Sequence, residues 1–212
     1  MDECTLAIAD YLKSSWSMRA WLLLKAAGVK FKTVQLRLYQ PDTRAQILKF
    51  SPSGKVPALI LKDHVVYDSL AIAETIAERF PRKKLWPEDQ TLRARTRSAA
   101  AEMHSGFVNL RTHMPFGVNI EPKPERILPE VQQDIDRIFN IWRELRTASR
   151  SSGFLCGGFG VVDAMYAPVV FRFRRFGVEL PDALKPYAQA MLSYPPVSEW
   201  LMLAQEELQR AG

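Results

Sequence analysis

Three serines stand near the start of a predicted helix, within residues 13–19. A serine there can cap the helix by accepting backbone N–H hydrogen bonds, and for any single serine this is the simpler interpretation. A hydroxyl at a helix N-terminus can also donate to a bound thiolate and lower that thiol's pKa, because the exposed N–H groups favour an anion. Ser14 and Ser15 are therefore candidates for thiol activation and for helix capping.

A second candidate segment covers residues 51–59 and contains Lys55, Val56 and Pro57. Proline has no N–H group to donate to a sheet, so we expect Pro57 at the start of a strand. A cis bond before Pro57 would turn the Val56 backbone outward, free to pair with an extended ligand. Most bonds that precede proline are trans, so the residues alone leave both forms open.

Asp68 and Ser69 come directly before another helical pattern. As a plain N-cap, Asp68 would accept N–H bonds from the first turn. Alternatively, a carboxylate and a hydroxyl beside helix N–H groups can bind the ammonium and carboxylate of an amino acid.

Candidates for a second-substrate pocket lie in the second half of the chain. His104 and Arg111 are seven residues apart, so a continuous helix would place both on one face, with Asn109 near its edge. The alternatives are a core histidine at 104, a salt bridge between the two halves for Arg111, and a solvated helix face for the arginines of residues 172–175.

The elements that must position these residues change in character along the chain. Strand patterns cover residues 5–11, 31–38, 58–62 and 64–67, and helical patterns cover residues 18–27 and 69–80. Beyond a proline-bounded linker at 81–87, helical patterns cover residues 92–111, 130–149, 161–176, 184–192 and 197–210, with a long connection at 115–129. We therefore predict a small α/β domain over residues 1–81 and an all-helical domain over residues 88–212.

Composition and charge exclude several classes of protein. Two cysteines among 212 residues make neither a disulfide framework nor a closed zinc site, and no apolar run approaches the length of a membrane span. The acidic start does not resemble a signal peptide, so we expect a cytoplasmic protein. Residues 1–84 hold 14 basic and 8 acidic residues, so the whole net charge of +6 lies there. That excess suits an anionic ligand, but without a basic stripe or recognition motif it does not indicate nucleic-acid binding.

The order of these motifs resembles the glutathione S-transferase family, in its serine-type, zeta-like form. The resemblance rests on the serines at the first helix, the Gly-Lys-Val-Pro run ending at Pro57, the Asp68-Ser69 pair and the Gly-rich box that leads to Asp163. It covers the chain from residue 5 to about residue 200. It implies a thioredoxin-like N-terminal domain, a helical C-terminal domain, a homodimer and glutathione as co-substrate, with no metal.

The resemblance also implies roles for single residues. Arg175 stands where zeta-like relatives and maleylpyruvate isomerases place an arginine that binds a substrate carboxylate, which makes it a candidate for the second-substrate pocket. A cis Val56–Pro57 bond would let Val56 pair with the glutathione backbone, and Asp68 and Ser69 would hold the γ-glutamyl end. Trp16 and Lys55 belong to the same glutathione site. Ser14, or Ser15 in its place, would stabilise the thiolate.

Three departures from the family pattern limit what carries over. Asp68 stands where many relatives have glutamate, which is one methylene longer. Gly160 stands where the family's capping box usually has serine or threonine. Trp16 stands where zeta-like members have cysteine, which excludes thiol exchange by an enzyme cysteine at this position.

These observations predict a glutathione transferase that conjugates glutathione to a hydrophobic or carboxylated electrophile in detoxification. One alternative is a glutathione-dependent isomerase of maleylacetoacetate or maleylpyruvate, in which Arg111 and Arg175 hold carboxylates. The other is a non-catalytic ligand-binding protein with the same fold.

Overall fold

The computed structural model describes residues 4–118 and 126–211. Its strands and helices are, in chain order, β1 (Cys4–Ile8), α1 (Ser15–Ala27), β2 (Phe31–Gln35), α2 (Thr43–Leu48), β3 (Ala58–Ile60), β4 (Val65–Tyr67), α3 (Ser69–Arg79), α4 (Gln90–Ser105), α5 (Val108–His113), α6 (Pro129–Ser149), α7 (Val161–Phe176), α8 (Lys185–Leu192) and α9 (Pro195–Ala211). Short 3-10 helices lie at Pro81–Lys83 and Asp182–Leu184. The predicted order, a small sheet with helices and then helices, is confirmed.

The topology of the sheet brings the candidate segments to one edge. The strand order is β2-β1-β3-β4, with β1 parallel to β2 and antiparallel to β3, and with β3 antiparallel to β4. Ala7 pairs with Ala58, which in turn pairs with Tyr67. The end of β1, the start of β3 and the end of β4 therefore lie side by side. The chain segments that adjoin these three points are the predicted site.

Three strands end earlier than the sequence patterns predict, and among them β3 ends at Ile60 rather than at residue 62. β1 ends at Ile8 rather than at residue 11, and β2 ends at Gln35 rather than at residue 38. The side chain of Asp10 accepts the N–H of Leu38 at 3.1 Å, so a carboxylate replaces the next ladder hydrogen bond. The N–H of Tyr11 donates to Glu207 of α9 at 2.6 Å.

The single helix predicted over residues 92–111 is wrong. α4 ends at Ser105 and α5 begins at Val108, because Phe107 has a left-handed backbone with φ of 54°. A side chain at Gly106 would place Cβ 2.8 Å from the carbonyl oxygen of Glu102, so only glycine fits this break. His104 and Arg111 consequently do not share one continuous helix face.

The two halves of the molecule share a core. Residues 81–87 are not a solvated linker, because Leu85 and Trp86 are buried and the Leu85 carbonyl accepts the N–H of Val161 at 3.0 Å. α1 packs against α3 on one side and against α7 on the other. In the predicted connection, residues 115–118 and 126–128 form no helix or strand, and residues 119–125 lie outside the described part. In the ranges that the structure describes, each helix is too short or too polar to span a bilayer.

Candidate functional site

A cleft of about 390 Å³ opens at the sheet edge where β1 and β4 end and β3 begins. Its lining residues are Trp16, Ser53, Lys55, Val56, Pro57, Tyr67, Asp68, Ser69 and His104. A cleft of this size suits a small-molecule ligand. The sequence analysis did not select Ser53 or Tyr67 as site residues, although Ser53 lies within the candidate segment 51–59 and Tyr67 directly precedes Asp68.

The peptide bond between Val56 and Pro57 is cis, as the resemblance implies. β3 begins directly afterwards, at Ala58. Within the described residues, the N–H and C=O of Val56 form no backbone hydrogen bond. The backbone of Val56 is therefore available to an extended ligand in the cleft.

Asp68 caps α3 and also faces the cleft, so the two interpretations of this residue are compatible. Its Oδ1 accepts the N–H groups of Leu70 at 2.8 Å and Ala71 at 3.3 Å. Its Oδ2 lies 2.7 Å from Nε2 of His104. Asp68 has φ of 77° and ψ of 136°, a conformation that non-glycine residues rarely adopt and that clusters at functional sites.

Ser69 carries an unpaired hydroxyl at the same helix N-terminus. The residue is 2% exposed, and its Oγ has no hydrogen-bond partner among the residues that the structure describes. A buried hydroxyl without a partner costs about 1–3 kcal/mol. Ser69 is therefore the lining residue that most needs a ligand to complete it.

The two serines at α1 have different roles. Ser14 is the N-cap: its Oγ accepts the N–H of Ser17 at 3.3 Å and donates to the Ser17 Oγ at 2.8 Å. The Ser17 Oγ in turn accepts the N–H of Ala9 at 3.0 Å. Ser15 is the first residue of α1, is 7% exposed and makes no side-chain hydrogen bond to the described residues. The cap is thus Ser14, not Ser15.

Trp16 forms one wall of the cleft. Its ring meets the His104 ring edge-on, with centroids 5.4 Å apart and an interplanar angle of 66°. The guanidinium carbon of Arg19 lies 4.2 Å from the Trp16 ring centroid, and that of Arg111 lies 5.7 Å from it. Trp16 therefore separates the cleft from positively charged groups behind it.

These groups form an arginine cluster, by which we mean Arg19, Arg111, Arg172 and Arg175. Burial, followed by the charges of Arg172 and Arg111, lowers the pKa of Arg19 to about 9. Burial, followed by the charges of Arg111 and Arg175, lowers the pKa of Arg172 to about 10. Arg19 and Arg172 both remain cations at neutral pH. The expectation of a solvated face is wrong for Arg172, which is 4% exposed.

The cluster is only partly hydrogen-bonded. Arg19 donates through Nε to the Met165 carbonyl at 2.9 Å, and Arg172 donates to the Met114 carbonyl. Both terminal nitrogens of Arg19 and the Nε atoms of Arg111, Arg172 and Arg175 are buried without a partner in the described residues. Among the residues that the structure describes, no carboxylate forms an ion pair with an arginine of the cluster. The sequence analysis did not predict that Arg19 and Arg172 belong to this cluster, because their proximity depends on how α1 packs against α7.

The structure places the predicted second-substrate residues in two groups. His104 lines the cleft. Asn109 and Arg111 belong to α5, and Arg175 of α7 donates to the Pro115 carbonyl at 3.0 Å. These last three are not among the lining residues of the cleft.

Neither cysteine offers a reactive thiol. Cys4 is buried, and burial raises its pKa. Burial raises the pKa of Cys156 to about 11. Thiolates are the reactive form of cysteine, so both side chains are inert near neutral pH.

Comparison with known proteins connects this geometry to one family. Residues 13–79 match the model for the glutathione S-transferase N-terminal domain, and residues 126–201 match the model for the C-terminal domain. Glutathione S-transferase 1 of Dianthus caryophyllus is 29% identical over 185 residues, which cover 85% of this chain and 83% of that protein. A probable maleylacetoacetate isomerase of Caenorhabditis elegans is 33% identical over 93 residues, 44% of this chain and 42% of that protein.

A solved structure shows the same fold. A glutathione transferase homolog from Burkholderia GL BGR1, crystallised with bound glutathione, superposes with a TM-score of 0.72 at 20% identity. The match covers 97% of this chain and 99% of that one. The thioredoxin-like domain followed by a helical domain is confirmed.

Proposed function

Because the chain belongs to the glutathione S-transferase family, we propose that it binds glutathione in the cleft and transfers the thiolate to an electrophilic small molecule. The observation that carries this proposal is the buried, unpaired hydroxyl of Ser69 beside the carboxylate of Asp68. The γ-glutamyl end of glutathione fits this pair. Its carboxylate accepts from the Ser69 hydroxyl and the start of α3, and its ammonium pairs with Asp68.

The rest of the tripeptide extends along the same edge. The Val56 backbone pairs with the glutathione backbone, and Lys55 adds positive charge for an anionic ligand that carries two carboxylates. Trp16 bounds the cleft on the side of α1. The thiol thereby reaches the N-terminus of α1.

We assign the sulfur contact to Ser15 rather than Ser14. The Ser14 hydroxyl already donates to Ser17, whereas the Ser15 hydroxyl has no such partner in the described residues. A donor and a helix N-terminus both favour the thiolate over the thiol. The thiolate then forms a bond to the electrophilic carbon, and a leaving group such as a halide departs with the electron pair of the broken bond.

A second candidate is glutathione-dependent cis–trans isomerisation of a carboxylated substrate. The thiolate would add to one carbon of the double bond, rotation would follow, and the same C–S bond would break to release glutathione unchanged. The arginine cluster favours this candidate, because its buried N–H groups suit carboxylates. Trp16 counts against it, because the zeta-like pattern has cysteine there.

Three measurements test these proposals. Calorimetry with glutathione tests the site, aryl halide conjugation tests the transferase, and isomerisation of maleylacetoacetate or maleylpyruvate tests the second candidate. An Arg175→Met variant should lose isomerisation but keep aryl halide conjugation if the cluster holds carboxylates. Binding without either activity would support a non-catalytic protein, and the absence of binding would contradict the proposal.

We also propose a cytoplasmic homodimer that acts in detoxification. The family resemblance supports the assembly and the role, and the two free cysteines fit a reducing compartment. Light scattering coupled to gel filtration should give twice the chain mass of 24.2 kDa.

A further inference from the structure

His104 and Asp68 meet inside the cleft although they come from different parts of the fold. His104 lies in the last turn of α4, Asp68 directly precedes α3, and Nε2 of His104 is 2.7 Å from Oδ2 of Asp68. A carboxylate offers no proton, so Nε2 carries the hydrogen and donates it. His104 therefore holds the one oxygen of Asp68 that does not cap α3.

The ring of His104 is held in turn by α1. It packs edge-on against Trp16, and the Trp16 ring is itself covered by the guanidinium of Arg19 at 4.2 Å. The imidazole, which projects from α4, therefore contacts both α1 and the residue that precedes α3. Asp68 receives its hydrogen bond from a ring that packing against α1 also orients.

We propose that His104 is a positioning residue for glutathione, which aims the Asp68 carboxylate at the γ-glutamyl ammonium. Oδ2 of Asp68 has two lone-pair directions, and His104 occupies one of them, so the other is left for the ligand. A carboxylate fixed in advance loses little conformational freedom when the ammonium binds. The inference rests on the proposed function and moves His104 from the second-substrate pocket to the glutathione side of the cleft.

This role predicts an effect on glutathione affinity and not on the chemical step. The hydrogen bond lies at the γ-glutamyl end, whereas the reacting sulfur lies at α1. Loss of the His104 donor should therefore raise Kd, while turnover at saturating glutathione stays the same. The effect should also require the ligand's ammonium group, since His104 acts only through Asp68.

Two variants separate the donor from the ring. His104→Phe keeps an aromatic ring against Trp16 but has no N–H group, and His104→Gln places an amide N–H near the position of Nε2. Calorimetry with glutathione should show a Kd about tenfold higher for His104→Phe and within about threefold of wild type for His104→Gln. With glutaryl-cysteinyl-glycine, the analogue of glutathione that lacks the ammonium group, wild type and His104→Phe should bind equally.

Each other outcome has a definite meaning. An equal loss of affinity for both peptides in His104→Phe would show a merely structural role and overturn the inference. Unchanged glutathione affinity, or a fall in aryl halide turnover at unchanged affinity, would also overturn it. Each of these results for His104→Phe would leave the proposed function standing. A wild-type protein that binds neither peptide would instead overturn the proposed function together with this inference.

Discussion

The hydroxyl protons of Ser14 and Ser15 are used differently, and this difference can be measured. If Ser15 stabilises the thiolate, Ser15→Ala should raise the pKa of the bound glutathione thiol by about 1–2 pH units. Conjugation near neutral pH should then fall about 10- to 100-fold, and higher pH should restore much of the rate. Thiolate absorbance and turnover, both recorded against pH, test this expectation.

Ser14→Ala is the matched control for this experiment. Ser14 caps α1, so its loss should lower the free energy of unfolding by about 1 kcal/mol and leave the pH profile in place. If Ser14→Ala shifts the pH profile and Ser15→Ala only lowers stability, then Ser14 and not Ser15 contacts the sulfur. If neither variant moves the pH profile, neither of these two hydroxyls activates the thiol.

Because the hydroxyl of Ser69 is unpaired, its removal should weaken glutathione binding without lowering the stability of the free protein. Ser69→Ala removes a buried group without a partner and puts alanine in the first turn of α3, so the free protein should be as stable as wild type or more stable. Glutathione affinity should fall about tenfold, because the ligand carboxylate loses a donor. Thermal unfolding with and without glutathione measures both effects.

Ser98→Ala provides the control for Ser69→Ala. Ser98 is an exposed residue of α4 whose hydroxyl donates to the Ala94 carbonyl at 3.2 Å, away from the cleft lining. The Ser98→Ala substitution should change neither the glutathione affinity nor the stability of the protein measurably. A Ser69→Ala protein that is less stable but binds glutathione normally would show that the hydroxyl has a structural partner and not a ligand.

At the scale of elements, sequence patterns located most helices but not their interruptions. The bounds of α7 agree with the helical spacing over residues 161–176. The break between α4 and α5 was not predicted because apolar residues keep a helical spacing across it. The break itself is caused by the positive φ of Phe107. The early ends of β1 and β2 depend on the side chain of Asp10, whose partner in the next strand the sequence cannot reveal.

The glycine at the start of α7 explains why the chain departs from the family's capping box. A Cβ at Gly160 would lie 2.6 Å from the Leu85 carbonyl oxygen, too close for any side chain. Serine at an N-cap usually adds about 1 kcal/mol of stability. Here Gly160→Ser should instead lower the free energy of unfolding by about 2 kcal/mol, because the segment around Leu85 must move. Chemical denaturation measures this change.

Gly158→Ala is the control for Gly160→Ser. A Cβ at Gly158 meets nothing within 4 Å, and its backbone is not left-handed. Its unfolding free energy should stay within about 0.5 kcal/mol of wild type. A more stable Gly160→Ser protein would show that the Leu85 segment adapts and that the usual cap operates.

At the scale of the whole molecule, the sequence revealed the cleft better than it revealed the arginine cluster. Val56, Pro57, Asp68 and Ser69 lie in short motifs, and the strand pairing alone brings those motifs to one edge. The cluster depends on the packing of α1 against α7, and that packing follows from side-chain shapes across the shared core. No local pattern encodes it.

The docking of α9 on the loop before α1 shows that the two halves form one structural unit. Glu207 accepts the N–H of Tyr11 at 2.6 Å and the side-chain amide of Gln35 at 2.8 Å. The indole of Trp200 donates to the Tyr11 carbonyl at 3.0 Å. The loop that leads to the cap of α1 is thereby fixed on both sides of Tyr11.

Glu207→Ala should therefore destabilise the whole molecule and not α9 alone. It leaves the Tyr11 N–H without its partner, which costs about 2 kcal/mol and lowers the melting temperature by about 4–8 °C. The neighbouring Glu206→Ala removes only an exposed pair with Arg210 at 3.1 Å and should cost well under about 1 kcal/mol. Because the halves share a core, tryptophan fluorescence and helical circular dichroism should report one coincident transition for both variants. Separate transitions for Glu207→Ala would mean that the helical half stays folded after the sheet has melted.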